Sequence, residues 1–154
     1  MSSTADLLDE HGDAVLVCLI QLRSFGAPSF AGTIATVLCE EDNVLVREQA
    51  SKPGDGRVLV IDGGGSMRCA LLGDSIAQLA HGNGWAGVVV NGCVRDSVAL
   101  DTLDLGVRAL GSNPRPSRKD GDGAVGIPVS FGGITFSPGA RLVADEDGVI
   151  VLPR

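Results

Sequence analysis

Two uninterrupted apolar runs, RVLVI at 57–61 and WAGVVV at 85–90, flank a stretch with helical spacing. A strand with one wet face alternates apolar and polar residues. A run that is apolar at nearly every position has both faces covered. Between the runs Ile76, Leu79, Ala80 and Asn83 recur at helical spacing, and Gly82 and Gly84 supply a C-terminal stop. Buried strand, helix, buried strand describes a crossover unit and confines the chain to the α/β class.

The remaining segments fill in around that unit. Thr4–His11, with Leu7 and Leu8, predicts a short helix, and 14–20 is apolar and β-rich. A Gly/Pro/Ser-rich stretch at 24–32 predicts a loop. A strand is expected at 33–39, then a turn at Glu41-Asp42-Asn43 before the apolar residues 44–46. A short helix at 98–103 and a third strand at 106–110 follow. Residues 112–126, rich in Gly, Pro, Lys and Arg and without periodicity, predict a long functional or mobile loop. Short strands are expected at 125–130, 134–136, 141–144 and 149–152, with Asp147-Gly148 as the hairpin turn. There is no internal repeat and no linker, so 1–154 is expected to be a single domain with a β-rich C-terminal half.

Composition narrows the function classes. With 44% apolar and 20% charged residues the chain can bury a core without a disulfide or a structural metal. A net charge of −7 argues against a broad nucleic-acid or anionic-membrane surface, while leaving room for a local basic pocket. No apolar run approaches the roughly 20 residues of a membrane span. The polar, acidic start at 1–10 lacks a signal-peptide layout, so the cytoplasm is expected. Cys18, Cys39, Cys69 and Cys93 form no CxxC pair and are expected to be free, mostly buried thiols. Cys93 has no histidine near it in sequence and is given no nucleophilic role.

Several motifs could carry chemistry. The triplet Gly63-Gly64-Gly65 lacks a glycine at position 68, where Arg68 stands, so it predicts a tight turn and not a dinucleotide site. Gly73-Asp74-Ser75-Ile76 opens the helix of the crossover unit. Its unpaired first-turn N–H groups can bind a carboxylate or phosphate, although an ordinary N-cap uses the same residues. Asn91 to Asp96 follows the second buried strand, at the strand end where ligands collect in α/β sheets. There Arg95 offers a fork for a carboxylate or enolate oxygen, and Asp96 offers a hard oxygen ligand for a divalent cation. Such pairs are more often solvated surface charges. His11 and His81 have no partner at metal spacing, Trp85 is expected in the core, and Arg115, Arg118 and Lys119 form a basic cluster on the long loop.

Taken in order, DN at 42–43, RVLVIDGGGS at 57–66, ALLGD at 70–74, GWAG at 84–87, GCVRD at 92–96, DLGVRA at 104–109 and FGGIT at 131–135 resemble one family over most of the chain. It is the regulator of ribonuclease E activity A family, together with the class II 4-hydroxy-4-methyl-2-oxoglutarate aldolases. The resemblance implies a swivelling β/β/α fold related to phosphohistidine domains, assembled as homotrimers that sometimes stack in pairs. It implies a divalent cation, Mg²⁺ or Mn²⁺, on Asp96, with Asp74 reaching it through water. The segment Gly73, Asp74, Ser75 and Ile76 would hold the carboxylate of a small 2-oxo acid, with Arg95 on the substrate. The implied reaction is lyase chemistry: release of pyruvate from 4-hydroxy-4-methyl-2-oxoglutarate, decarboxylation of oxaloacetate, or both. Asp96 favours catalysis, because the founding regulator has Gln there. Longer aldolases add a carboxylate from a C-terminal extension. With the sequence ending at Arg154, decarboxylation is the better supported of the two expectations. The alternative is a non-catalytic regulator that contacts ribonuclease E, with no direct nucleic-acid or membrane contact.

Overall fold

The computed structural model describes residues 1–153. Its centre is a run of parallel strands: β3 (Phe30–Leu38), β4 (Val58–Asp62), β6 (Gly87–Val94) and β7 (Gly106–Ser112). Antiparallel strands extend the sheet on both sides. β11 (Arg141–Asp145), β12 (Gly148–Leu152) and β1 (Leu16–Val17) lie beyond β3, and β2 (Arg23–Gly26) lies beyond β7. β8 (Ala124–Val125) also pairs with β3. A hairpin of β9 (Val129–Phe131) and β10 (Ile134–Phe136) packs on one face. The helices are α1 (Thr4–His11), α2 (Val44–Ala50), α3 (Asp74–Gly82) and α4 (Ser97–Asp101).

Both apolar runs are buried along their strands, and the two-residue period explains why neither alternates. Leu59, Ile61, Val88 and Val90 point into a core shared with Val46, Ala50, Ile76, Ala77, Ala80 and Leu100 of the helices. Val58, Val60 and Val89 point the other way, into a second core closed by Phe131 and Phe136 of the hairpin. The two rings of the hairpin stack at 4.3 Å. A small third cluster of Val15, Val143 and Ile150 seats Leu7 and Leu8 of α1 on the β11–β12 hairpin. The result is one mixed α/β unit with a layer on each face of its sheet. No helix among the described residues is long and apolar enough to cross a membrane.

Several segments differ from expectation. The apolar residues 44–46 begin a helix, since the Asp42 carboxylate accepts the Val44 N–H and turns the chain into α2. Within the expected loop at 24–32 lies edge strand β2, paired with β7 and anchored by buried Phe25. The β-rich segment at 14–20 keeps only the two-residue β1, preceded by a single 3₁₀ turn. The long segment 112–126 is largely irregular but fixed. Asp42 bridges to Arg118, Ala70 bridges to Pro116, and β8 pairs with β3.

The second buried strand runs further than its apolar letters. β6 continues through Asn91, Gly92, Cys93 and Val94, with its register to β7 shifting between Val90 and Cys93. β4 pairs with β6 from Gly87 to Asn91. β5 (Ala70–Leu72) then takes up the same edge opposite Cys93 and Val94. Chain leaving β5 for α3 and chain leaving β6 for α4 therefore emerge side by side.

Candidate functional site

That parallel exit creates the site. The Arg95 N–H donates to Leu72 O at 2.9 Å, which extends the β5–β6 pairing by one residue and places Arg95 and Asp96 beside the first turn of α3. Asp96 adopts φ +58°, a left-handed conformation that Asp tolerates better than most side chains. The turn aims its carboxylate back at α3, where Oδ2 accepts the Asp74 N–H at 3.1 Å across 22 positions of sequence. This bond holds the Asp96 carboxyl below the usual carboxylate range. Slight burial opposes the shift, and the Asp74 carboxyl and the Arg95 charge add to it.

Gly73 is at the contact point. Its backbone is extended, so the demand is for space and not for a special φ. A Cβ there would stand 2.8 Å from Asp96 Oδ2 and 3.3 Å from Arg95 Cγ. The Ala77 N–H reaches Gly73 O and closes the first helical turn of α3. The N–H groups of Ser75 and Ile76 precede it and have no i−4 partner within the helix.

The mouth so formed is a cavity of about 180 Å³. Gly73, Asp74, Ser75, Ile76, Arg95 and Asp96 all line it, so the structure brings every sequence-predicted site residue to one place. One expectation is refined: the Asp74 amide is already spent on Asp96, which leaves Ser75 and Ile76 as the open amides. Among the other lining residues, Asn43, Arg47 and Lys119 bring polar side chains to the mouth. Asn43 donates to Leu71 O and accepts from Lys119 Nζ at 2.7 Å, which pins the long loop over the mouth. Arg47 of α2 donates to Ser75 Oγ at 2.8 Å. Within the basic cluster only Lys119 faces the mouth, whereas Arg118 pairs with Asp120. A helical reading of 44–50 would have exposed Arg47, because Val46 and Ala50 are a buried i, i+4 pair that turns the next position outward.

The donor set suits a small hard cation. Two carboxylates stand together: Asp96 Oδ2 is held by the Asp74 N–H, and the Asp74 carboxyl lies against the Asp96 carboxyl. The Cβ-free space at Gly73 keeps the position open. Mg²⁺ commonly takes one or two carboxylates and completes its shell with water and substrate.

A second acidic group, Asp42, Asp120 and Asp122, has carboxylate oxygens within 4.8 Å of one another. It is already satisfied by protein groups. Asp42 accepts from Val44, Asp120 and Gly121 N–H, and Arg118 covers Asp120 and Asp122. Those bonds fasten the loop. A larger cavity of about 660 Å³ opens beyond the glycine triplet, lined by Met67, Arg68, Glu40, Glu41 and Asp122. Its arginine is already forked onto Glu41, so it offers little to an anion. The triplet itself makes the expected tight turn, with Gly63 packed against Leu71 and Asn91 O.

Burial answers the expectations for the cysteines, Trp85 and the histidines. All four cysteines are free and buried, and burial raises each thiol; Cys93 Sγ lies 3.4 Å from Met67 Sδ. Trp85 is in the core, with its indole N–H on Lys52 O, and both histidines are exposed.

This large mixed sheet is the architecture of the RraA-like proteins. The family model described as Aldolase/RraA matches residues 4–151, and the chain belongs to that family. It is 57% identical over 151 residues to a Laribacter hongkongensis protein provisionally named a 4-hydroxy-4-methyl-2-oxoglutarate aldolase, covering 97% of this chain and 95% of that one. The structure of the RNA-processing inhibitor RraA from Thermus thermophilis is 42% identical, with a TM-score of 0.96, covering 100% of this chain and 94% of that one. A Geobacillus kaustophilus structure described as an S-adenosylmethionine:2-dimethylmenaquinone methyltransferase is 47% identical, with a TM-score of 0.97, covering 99% and 96%. Three different activities are named on nearly one fold, so function has to be argued from the site.

Proposed function

We propose that this chain is a divalent-metal-dependent lyase of small 2-oxo acids that releases pyruvate from 4-hydroxy-4-methyl-2-oxoglutarate, from oxaloacetate, or from both. The observation that carries the reading is the Asp74 N–H to Asp96 Oδ2 contact, which joins an arginine, a carboxylate pair and a helix N-terminus in one mouth. A cavity of about 180 Å³ equals roughly six waters at about 30 Å³ each, the scale of a short-chain acid. The aldolase name of the 57% identical relative supports the same reaction class.

In this reading Asp96, with Asp74 beside it, holds Mg²⁺ or Mn²⁺. The bound ion would supply positive charge to stabilise the enolate left by C–C cleavage. The open amides of Ser75 and Ile76 bind the carboxylate of the 2-oxo-acid end, helped by the α3 dipole. The Arg95 guanidinium sets its fork on the keto oxygen and stabilises charge growing there. Aldol cleavage also needs a group to take the 4-hydroxyl proton, and in this reading a water beside Asp74 takes it. Decarboxylation needs no such acceptor and depends on Asp96, Arg95 and the amides alone. Assembly as a homotrimer belongs to the same proposal, and sedimentation should give three times the chain mass, or six times it where trimers stack in pairs.

The test is pyruvate release from each substrate, with Mg²⁺ or with EDTA, by wild type and Asp96→Ala. Release that needs metal and falls about 100-fold or more in the variant supports the lyase. The second reading, a protein regulator of ribonuclease E, is favoured by the 42% identical RraA structure and the acidic net charge. An inactive wild type that binds and inhibits ribonuclease E would select it.

A further inference from the structure

Three cations line the mouth, but their hydrogen-bonding capacity differs. Lys119 Nζ donates to Asn43 Oδ1 at 2.7 Å and to Ser117 O and Oγ at 3.1 Å each, so its three N–H donors are spent and it contributes charge alone. Arg95 has a single long bond, 3.4 Å to Pro114 O. Arg47 uses one terminal nitrogen on Ser75 Oγ, and no other acceptor among the described residues engages it. The mouth therefore presents two guanidinium forks with open donors.

Their places differ too. Arg95 leaves β6 beside Asp96 and Gly73, at the metal-competent end. Arg47 stands at the rim, where the mouth passes into an open groove along Gln78, Leu79 and Gly82 of α3. Its bond to Ser75 fixes the guanidinium beside the open amides without exhausting it. An acid with one carboxylate would use the inner fork and the amides and leave the outer fork idle. A planar fork is matched in shape and charge by a second carboxylate.

We propose that Arg47 receives the distal carboxylate of a dicarboxylic 2-oxo acid, while Arg95 and the start of α3 take the 2-oxo-acid end. This rests on the reading of the mouth as a 2-oxo-acid site and makes Arg47 the residue that selects dicarboxylates over monocarboxylates of equal length.

The test compares 2-oxoglutarate with 2-oxopentanoate, which replaces the distal carboxylate by a methyl group. Each is titrated calorimetrically into Mg²⁺-loaded full chain, as wild type, Arg47→Met and Arg47→Lys. Wild type should prefer 2-oxoglutarate about tenfold or more, the scale of a charge-assisted hydrogen-bonded pair. Arg47→Met should erase that preference with 2-oxopentanoate affinity unchanged within about twofold, and Arg47→Lys should restore part of it. Equal binding of the two acids by wild type, a preference that survives Arg47→Met, or parallel loss of both ligands overturns the assignment. Pyruvate release is scored separately. Binding with preference but no turnover sinks the lyase and leaves this subsite standing, whereas turnover without preference does the reverse.

Discussion

At Gly73 and Asp96 the site depends on what a single atom excludes or supplies. A methyl at position 73 would meet Asp96 Oδ2 at 2.8 Å and Arg95 Cγ at 3.3 Å, and relief comes from swinging both side chains away. Gly73→Ala should therefore cut oxaloacetate turnover about tenfold or more. Unfolding stability should change by less than about 1 kcal/mol, because the backbone there is already extended. Turnover kinetics beside a urea titration checks both halves. At Asp96 two needs coincide, charge and tolerance of φ +58°. Asp96→Asn keeps the conformational tolerance and removes the charge, so it should fold like wild type yet lose metal-dependent activity. Asp42 serves architecture instead. Burial alone would raise its carboxyl, but N–H bonds from Val44, Asp120, Gly121 and Asp122 hold it low. Asp42→Asn leaves at least one of those donors facing an amide, at a cost of about 1–3 kcal/mol in urea.

The elements that were legible in sequence are those whose own letters carry the signal. The runs at 57–61 and 85–90, the helix over Thr4–His11 and the Asp147-Gly148 hairpin all stand where periodicity and turn chemistry put them. Elements defined by their neighbours were not legible. β5 exists because β4 ends and frees an edge of β6, and β2 exists because β7 offers one. α2 starts where Asp42 captures the Val44 N–H, a bond no periodicity reveals. The site divides the same way. The residues from Gly73 to Asp96 were found through order and resemblance, while Arg47 was missed because its helix was. The junction of β3, β6 and β7 gives an element-scale prediction. The Phe30 ring fills the space above Gly87 and Gly106, where a Cβ would stand 2.2 and 2.1 Å from it, with the Arg108 guanidinium 5.2 Å from its centre. Phe30→Ala opens a cavity that the strands cannot close and should cost about 3–5 kcal/mol. Val98→Ala, on an 82% exposed side chain, should cost under about 0.5 kcal/mol. Paired urea curves test the contrast.

Over the whole molecule, the shifted groups define a stability profile with two different limbs. Asp42, Asp145 and Asp96 are held below the ordinary carboxylate range. Their stabilisation is present above the unfolded value of about 3.9 and is lost as pH falls through the lowered values. The acid limb therefore releases the long loop held by Asp42. It also releases α1, which Asp145 ties down by accepting both the N–H and the hydroxyl of Thr4 at 2.8 Å. The alkaline limb belongs to thiols, because the chain has no tyrosine. Burial, followed by the charges of Asp42, Asp62 and Cys69, pushes Cys39 up to about 12. A raised acid stabilises the fold below its unfolded value and loses that contribution as pH rises through the folded one. Cys39 should thus drain stability from about pH 9 upward, by an amount on the order of 1.4 kcal/mol per pH unit. Urea midpoints taken from acid to alkali should show a plateau between about pH 5 and pH 8.5 with a fall on each side. Cys39→Ala lowers the plateau by removing a buried side chain, yet it should flatten the alkaline fall. An alkaline limb equally steep in wild type and variant would mean that the buried thiol at the end of β3 does not control it.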